Sequence, residues 1–231
     1  VRNLLLTLLL AIPITGASAQ PSSPASSLLT PAQVAARFTP AVKSVLGITL
    51  PIFRVYKYSD TSGVYYAVLT ESQDSRDAEG ELLNKQIKAL VFKNSPQGLV
   101  KAWELNDRIL QNEQEEETIW FWTKYAEFKD YDQDGLIEPI IVYGTSGLNG
   151  YDDGRLKFLI YYKGQKVALR HQNSVLDYGR STQVDKAFYA LPAGLQAAVR
   201  QKMEALDAAG LAIFPSGWQT SMKNKKMVYD D

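Results

Sequence analysis

The sequence has no cysteine and a single histidine, His171. Without thiols it can build neither a disulfide framework nor a thiolate zinc site, and it has no cysteine nucleophile. With one histidine, a multi-histidine metal centre is excluded. Charge of either sign is also not in excess: 25 basic and 25 acidic residues cancel. A surface that tracks phosphates is therefore not expected, and nucleic acid is not an expected partner. Long apolar runs are missing too. Leu4 to Ile14 comes nearest, and it is shorter than the ~18 residues of a membrane span.

That apolar run has a different reading. Arg2 supplies a basic start, Leu4 to Ile14 an apolar core, and Ala17-Ser18-Ala19 the small residues that signal peptidases accept. Residues 1–19 are therefore expected to be a signal peptide cleaved between Ala19 and Gln20. The expected location is periplasmic or secreted, with no membrane span after cleavage. Residues 20–30 are rich in Pro and Ser and read as a tether. A single β-rich globular domain is expected over 31–220, followed by a charged tail over 221–231. A chain of this size can bury a core large enough to be stable without disulfides.

Thr30-Pro31 and Thr39-Pro40 are helix-start signals, because Thr caps free amides and Pro fits the first turn. Beyond them the pattern becomes period-two and rich in tyrosine and β-branched residues. Ile52–Tyr58 and Val64–Glu71 flank SDTSG, Gln86–Lys93 and Leu99–Leu105 flank NSPQG, and two further runs meet at Lys163-Gly164. Such successive hairpins predict antiparallel sheets, and at most an incomplete β-propeller-like arrangement. Late in the chain Pro192 opens a helix that places Leu195, Ala198, Val199, Met203 and Leu206 on one face, with Gly210 placed to end it. The expected fold class is thus mainly β with a C-terminal helix.

The stretch KDYDQDGLIEPIIVYG, Lys129 to Gly144, carries the strongest chemical signal. Asp130, Asp132 and Asp134 alternate, Gly135 permits a sharp turn, and Glu138 stands at the ninth position. If the backbone curls around a centre, these carboxylates and the Leu136 carbonyl converge. Hard oxygen donors in that number suit Ca²⁺. An EF-hand would place its bidentate glutamate at the twelfth position, which here is Ile141, and Pro139 interrupts the helix that should follow. The segment after Glu138 reads instead as strand. The loop therefore resembles the calcium loop of FG-GAP or VCBS-type repeats, DxDxDGxxD/E between two strands. That resemblance implies Asp130, Asp132, Asp134 and Glu138 as side-chain ligands, Leu136 as a carbonyl ligand, and a structural Ca²⁺ that staples a hairpin.

Other residues carry weaker signals. His171, at a strand end, reads as structural, and Asp177 and Asp185 lack any nucleophile context to complete a triad. Glu115-Glu116-Glu117 reads as a solvated run. Residues 149–154 form a polar, Gly-rich loop, read as a flexible turn that could carry binding residues. Trp120 and Trp122 share one strand face and Phe121 and Thr123 the other, a pattern of core packing. The order of elements is also similar to a group of bacterial secreted proteins with one VCBS-type loop, some of which are periplasmic inhibitors of peptidoglycan-degrading enzymes. That similarity implies a non-catalytic binding protein whose partner is another protein, such as a cell-wall hydrolase. The competing expectation is an envelope carbohydrate-active enzyme that uses a carboxylate pair the sequence does not identify.

Overall fold

A computed structural model describes residues 23–110, 116–147 and 149–230. The expected signal peptide, the first three residues of the expected tether (20–22), Glu115 and the last residue of the expected tail (231) lie outside the described residues. Among those described, the elements are β1 (Ala25–Leu28), α1 (Pro31–Arg37), α2 (Pro40–Leu46), β2 (Ile52–Asp60), β3 (Gly63–Glu71), β4 (Ser75–Arg76), β5 (Leu82–Leu83), β6 (Gln86–Ser95), β7 (Gly98–Arg108), β8 (Thr118–Phe121), β9 (Glu127–Lys129), β10 (Glu138–Ser146), β11 (Arg155–Tyr162), β12 (Gln165–Gln172), β13 (Ser181–Val184), α3 (Ala193–Ala208), α4 (Trp218–Lys223) and β14 (Val228–Asp230).

The strands form two large antiparallel sheets and one small ribbon. The first sheet runs β1-β2-β3-β6-β7; the second runs β14-β13-β12-β11-β10-β8, with β9 also paired to β10; β4 and β5 form the ribbon. All three expected hairpins are present. At the β11–β12 turn Lys163 and Gly164 both take positive φ, 45° and 82°, which is what a two-residue turn of this hand requires. The propeller-like expectation goes no further than two sheets packed face to face.

Period-two alternation sends neighbouring side chains into different cores. On β10, Ile140 and Val142 enter the core beneath α3 and α4, while Ile141 and Tyr143 enter the core between the sheets. On β3, Ala67 and Leu69 join that same inter-sheet core, and Tyr66 and Val68 face the helices α1 and α2. The order of layers is therefore helices, sheet, sheet, helices. A strand buried on both faces reads as a continuous apolar run, which explains why PIIVY shows no alternation.

Helix boundaries follow local chemistry. Thr30 and Gln33 form a reciprocal capping box at α1, Thr39 caps α2, and Gly47 ends α2 in the left-handed conformation. In α3, Leu195, Val199, Met203 and Leu206 are fully buried, as their spacing predicts. No helix among the described residues is long and apolar enough to cross a membrane.

Two segments at the chain's ends belong to the sheets. Within the tether, Ala25–Leu28 pairs antiparallel with Tyr56–Ser59. The charged 221–231 segment is not a simple tail: Met222 is buried on α4, and Thr182 pairs with Tyr229, whose ring is 4 % exposed. One inward-facing tyrosine with outward-facing neighbours docks the strand, although the segment is rich in charge.

Candidate metal centre

The acidic loop closes the β9–β10 pair, where Lys129 lies opposite Glu138 and Phe128 opposite Pro139. Left-handed backbone at Gln133 (φ 62°) and Gly135 (φ 86°) curls the loop inward. A side chain at Gly135 would be strained by that φ, and its Cβ would stand 2.9 Å from Thr61 Cγ2. The curl is held from within. Asp130 accepts from the backbone N–H of Gln133 at 2.7 Å and of Gly135 at 3.0 Å, and Asp134 accepts from Leu136 N–H at 2.9 Å.

These bonds bring Asp130, Asp132, Asp134 and Glu138 together. One carboxylate oxygen from each lies within 4.8 Å of all the others. Oxygens on opposite sides of a Ca²⁺ ion, each ~2.3–2.6 Å from it, would stand about 4.6–5.2 Å apart, so the spread matches one coordination sphere. All the donors are hard oxygens, and no thiolate or imidazole is present. The cluster could hold a metal ion. Leu136, expected to offer its carbonyl, lies in the curl between Gly135 and Ile137.

Glu138 differs from the three aspartates. It is 2 % exposed and accepts from Tyr131 N–H at 2.8 Å. Burial pushes its carboxyl up to about 7, and the charges of Asp132, Asp134 and Asp130 push in the same direction against the Tyr131 hydrogen bond. On the outer side, Lys163 Nζ stands 2.9 Å from Asp134 Oδ2, and this hydrogen bond lowers the Asp134 carboxyl below its usual range.

Two hairpin turns that the sequence left as ordinary turns brace the loop. From the β2–β3 turn, Thr61 donates to the Gly135 carbonyl through both its N–H and its hydroxyl, each at 3.0 Å, and Asp60 Oδ2 accepts from Ile137 N–H at 3.1 Å. From the β11–β12 turn, Tyr162 donates its hydroxyl to Asp132 Oδ2 at 3.2 Å, beside the Lys163 contact. The acidic loop thus joins one hairpin of each sheet. The only sequence signals were an aspartate in SDTSG and a Tyr-Lys pair at a turn, and neither locates itself beside the loop.

The remaining candidates are structural. His171 is buried, with Nδ1 2.9 Å from Thr182 Oγ1 and Nε2 2.7 Å from Asn173 Oδ1; burial lowers its imidazole to about 4. Asp185 pairs with Arg170 at 2.7 Å and Asp177 with Arg180 at 2.7 Å, so neither serves His171. Glu116 overturns the reading of a solvated run. It is 5 % exposed, and Arg155 forks onto it through Nε and through Nη2 at 2.8 Å, while Thr145 donates at 2.9 Å. Trp122 and Trp120 pack on the α3–α4 core and Phe121 on the inter-sheet core, as their alternation predicts. The 149–154 loop is anchored: Asp153 Oδ2 accepts from Asn149, and Asn173 donates to the Tyr151 carbonyl at 2.8 Å.

Comparison with protein-family models, with curated proteins and with solved structures gives no match to this chain.

Proposed function

We propose that the protein is exported to the periplasm or beyond, holds a structural Ca²⁺ in its acidic loop, and acts without catalysis by binding another protein. Its proposed target is a peptidoglycan-degrading enzyme. One observation carries the metal assignment: four carboxylates converge to the dimensions of a single calcium sphere at the junction of two sheets. Ca²⁺ is favoured over transition metals because every available donor is a hard oxygen. Likeness to an FG-GAP or VCBS-type loop supports a stapling role, since the loop's bracing contacts reach the Thr61 and Tyr162 turns. The export and inhibitor parts of the proposal rest on the N-terminal sequence pattern and on the order of elements.

The metal assignment is tested by calorimetric melting in EDTA and in millimolar Ca²⁺. The midpoint should rise with Ca²⁺ in the wild type and stay fixed in Asp132→Ala; equal midpoints for the wild type in both buffers would remove the assignment. Hydrolysis of a polysaccharide by the purified chain would remove the non-catalytic reading.

A further inference from the structure

A sheet leaves backbone groups unpaired along its edge strands, and the edges of this protein differ in how that backbone is covered. On β7, Lys166 Nζ donates to the Glu104 carbonyl at 3.3 Å and Arg155 Nη2 to the Arg108 carbonyl at 2.9 Å. On β8, Ile119 N–H donates to the Asn84 carbonyl at 2.9 Å and Phe121 N–H to Glu71 at 3.0 Å. Each of these edges is closed by groups of the other sheet. At the far edge of the second sheet, β14 pairs only with β13 among the described strands. Met227 O accepts from Val184 N–H at 2.8 Å, and Tyr229 lies opposite Thr182. Ladder bonds alternate along an antiparallel pair, so the N–H and C=O of Val228 and Asp230 point outward from the sheet.

The side chains along this edge complement themselves. From Lys225 to Asp231 the chain reads KKMVYDD, with two lysines before three apolar residues and two aspartates after them. Lys226 stands two residues before Val228 and Asp230 two after it, and both are exposed. Neither takes part in an ion pair among the described residues. We infer that β14 pairs antiparallel with β14 of a second copy of this chain, about a two-fold axis at Val228, and so joins two seven-stranded sheets into one. In that register Val228 meets Val228 of the second copy, and each Lys226 meets an Asp230, giving two opposite-charge cross-strand pairs. Parallel pairing in register would set lysine against lysine and aspartate against aspartate, so the charges select the antiparallel direction. The β12–β13 connection adds apolar surface at the same place. It packs beside β14 at the Asp230 end, with Leu176 and Tyr178 52 % and 82 % exposed. The two-fold axis brings the Met227 end of the second copy toward it, and Met227 and Val228 are 51 % and 56 % exposed. Exposed apolar side chains are thus gathered along the strand whose backbone is open. A three-residue strand and a few flanking side chains are small beside the ~800 Å² per partner of a standard interface, so the dimer is expected to be weak.

The test is sedimentation velocity on the full mature chain from about 1 to about 500 μM, with urea midpoints as the check on folding. The wild type should pass from monomer to dimer across that range. Lys226→Asp alone and Asp230→Lys alone should each weaken the dimer about 10-fold, because each sets like charges opposite one another. An equimolar mixture of those two variants should form a heterodimer at wild-type affinity, since both cross-strand pairs are then opposite in sign. Val228→Pro removes an outward N–H that β13 does not use, and it should abolish the dimer with little change in the urea midpoint. A wild type that stays monomeric at the highest concentration would overturn the inference. A dimer indifferent to the charge reversals and to Val228→Pro would place the interface elsewhere and overturn it as well. So would a mixture of the two reversed variants that associates no better than either alone.

Discussion

Two glutamates lie buried at opposite ends of β10, Glu138 at its start and Glu116 beside Thr145 near its finish. Glu116 receives a fork from Arg155, a threonine hydroxyl and the Leu110 N–H at 2.5 Å. Glu138 receives one backbone N–H and faces three further carboxylates. Lys163 reaches this cluster, but on Asp134, and its ammonium is half exposed. A buried carboxylate is tolerable when a cation and hydrogen bonds compensate its lost hydration. At Glu116 the chain supplies that cation. At Glu138 no cation among the described residues does so, and the four clustered carboxylates could hold one from solution. The difference is the physical case for a metal at one end of the strand and not at the other.

The largest effect is expected at the Glu116 end. Arg155→Ala leaves a buried charge without its cation and should destabilise the protein by about 3–5 kcal/mol in urea denaturation. Replacing both partners with apolar residues, Arg155→Met with Glu116→Leu, should recover much of that loss. If the double replacement is as unstable as Arg155→Ala alone, the pair holds the fold by more than charge compensation.

Two more buried groups answer the same problem by remaining uncharged, and pH separates them. His171 is lowered to about 4 from an unfolded value near 6.5. Its contribution is complete above about 6.5 and is lost as pH falls through about 4, a change on the order of 3 kcal/mol. Glu71, which accepts from Phe121 N–H across the two sheets at 3.0 Å, is raised to about 7 by burial. Its contribution is complete below its unfolded value near 4.5 and is lost as pH rises through about 7. Their slopes oppose one another between pH 4.5 and 6.5. In denaturation midpoints across that window, Glu71→Gln should therefore rise more steeply with pH than the wild type, and His171→Gln less steeply. Parallel profiles for all three proteins would show that neither group's titration is linked to folding.

At the Glu138 end, Ca²⁺ at a hundredfold excess over its Kd should stabilise the protein by about 2.7 kcal/mol through mass action. Glu138→Gln should reduce that gain, measured by the same melting scan with and without chelator. A Glu138→Gln variant that keeps the whole effect would show that Glu138 is not a ligand. The smallest effect should come from an exposed pair. Lys101 lies 2.7 Å from Glu104 with both side chains about half exposed, so Lys101→Ala should change stability by no more than about 0.5 kcal/mol. A loss comparable with that from Arg155→Ala would show that burial is not what distinguishes these ion pairs.

Much of the fold was legible because its signals are local. The hairpins at SDTSG, NSPQG and Lys163-Gly164, the caps at Thr30 and Thr39, and the apolar stripe of α3 each depend on residues a few positions apart. The acidic cluster was legible for the same reason: its four carboxylates lie within nine residues. Its supports were not. Asp60 and Thr61 are more than seventy residues from Gly135 in the chain, and only the packing of one sheet on the other brings them together. Glu116 was misread because a run of three acids looks solvated until Arg155, thirty-nine residues later, is placed beside it. Tyr229 was hidden in charged sequence because one inward-facing ring is enough to dock a three-residue strand.

Periodicity and turn signals in the sequence were enough for the strands of the three hairpins, the late helix and an acidic cluster that could hold a metal ion. These follow from periodicity, capping and turn chemistry, which act over a few residues. Which hairpins share a sheet, which buried carboxylate meets an arginine, and that the loop joins both sheets were set by packing in three dimensions. Those outcomes depend on contacts between segments far apart in the chain, where burial and charge compensation act and local pattern carries no information.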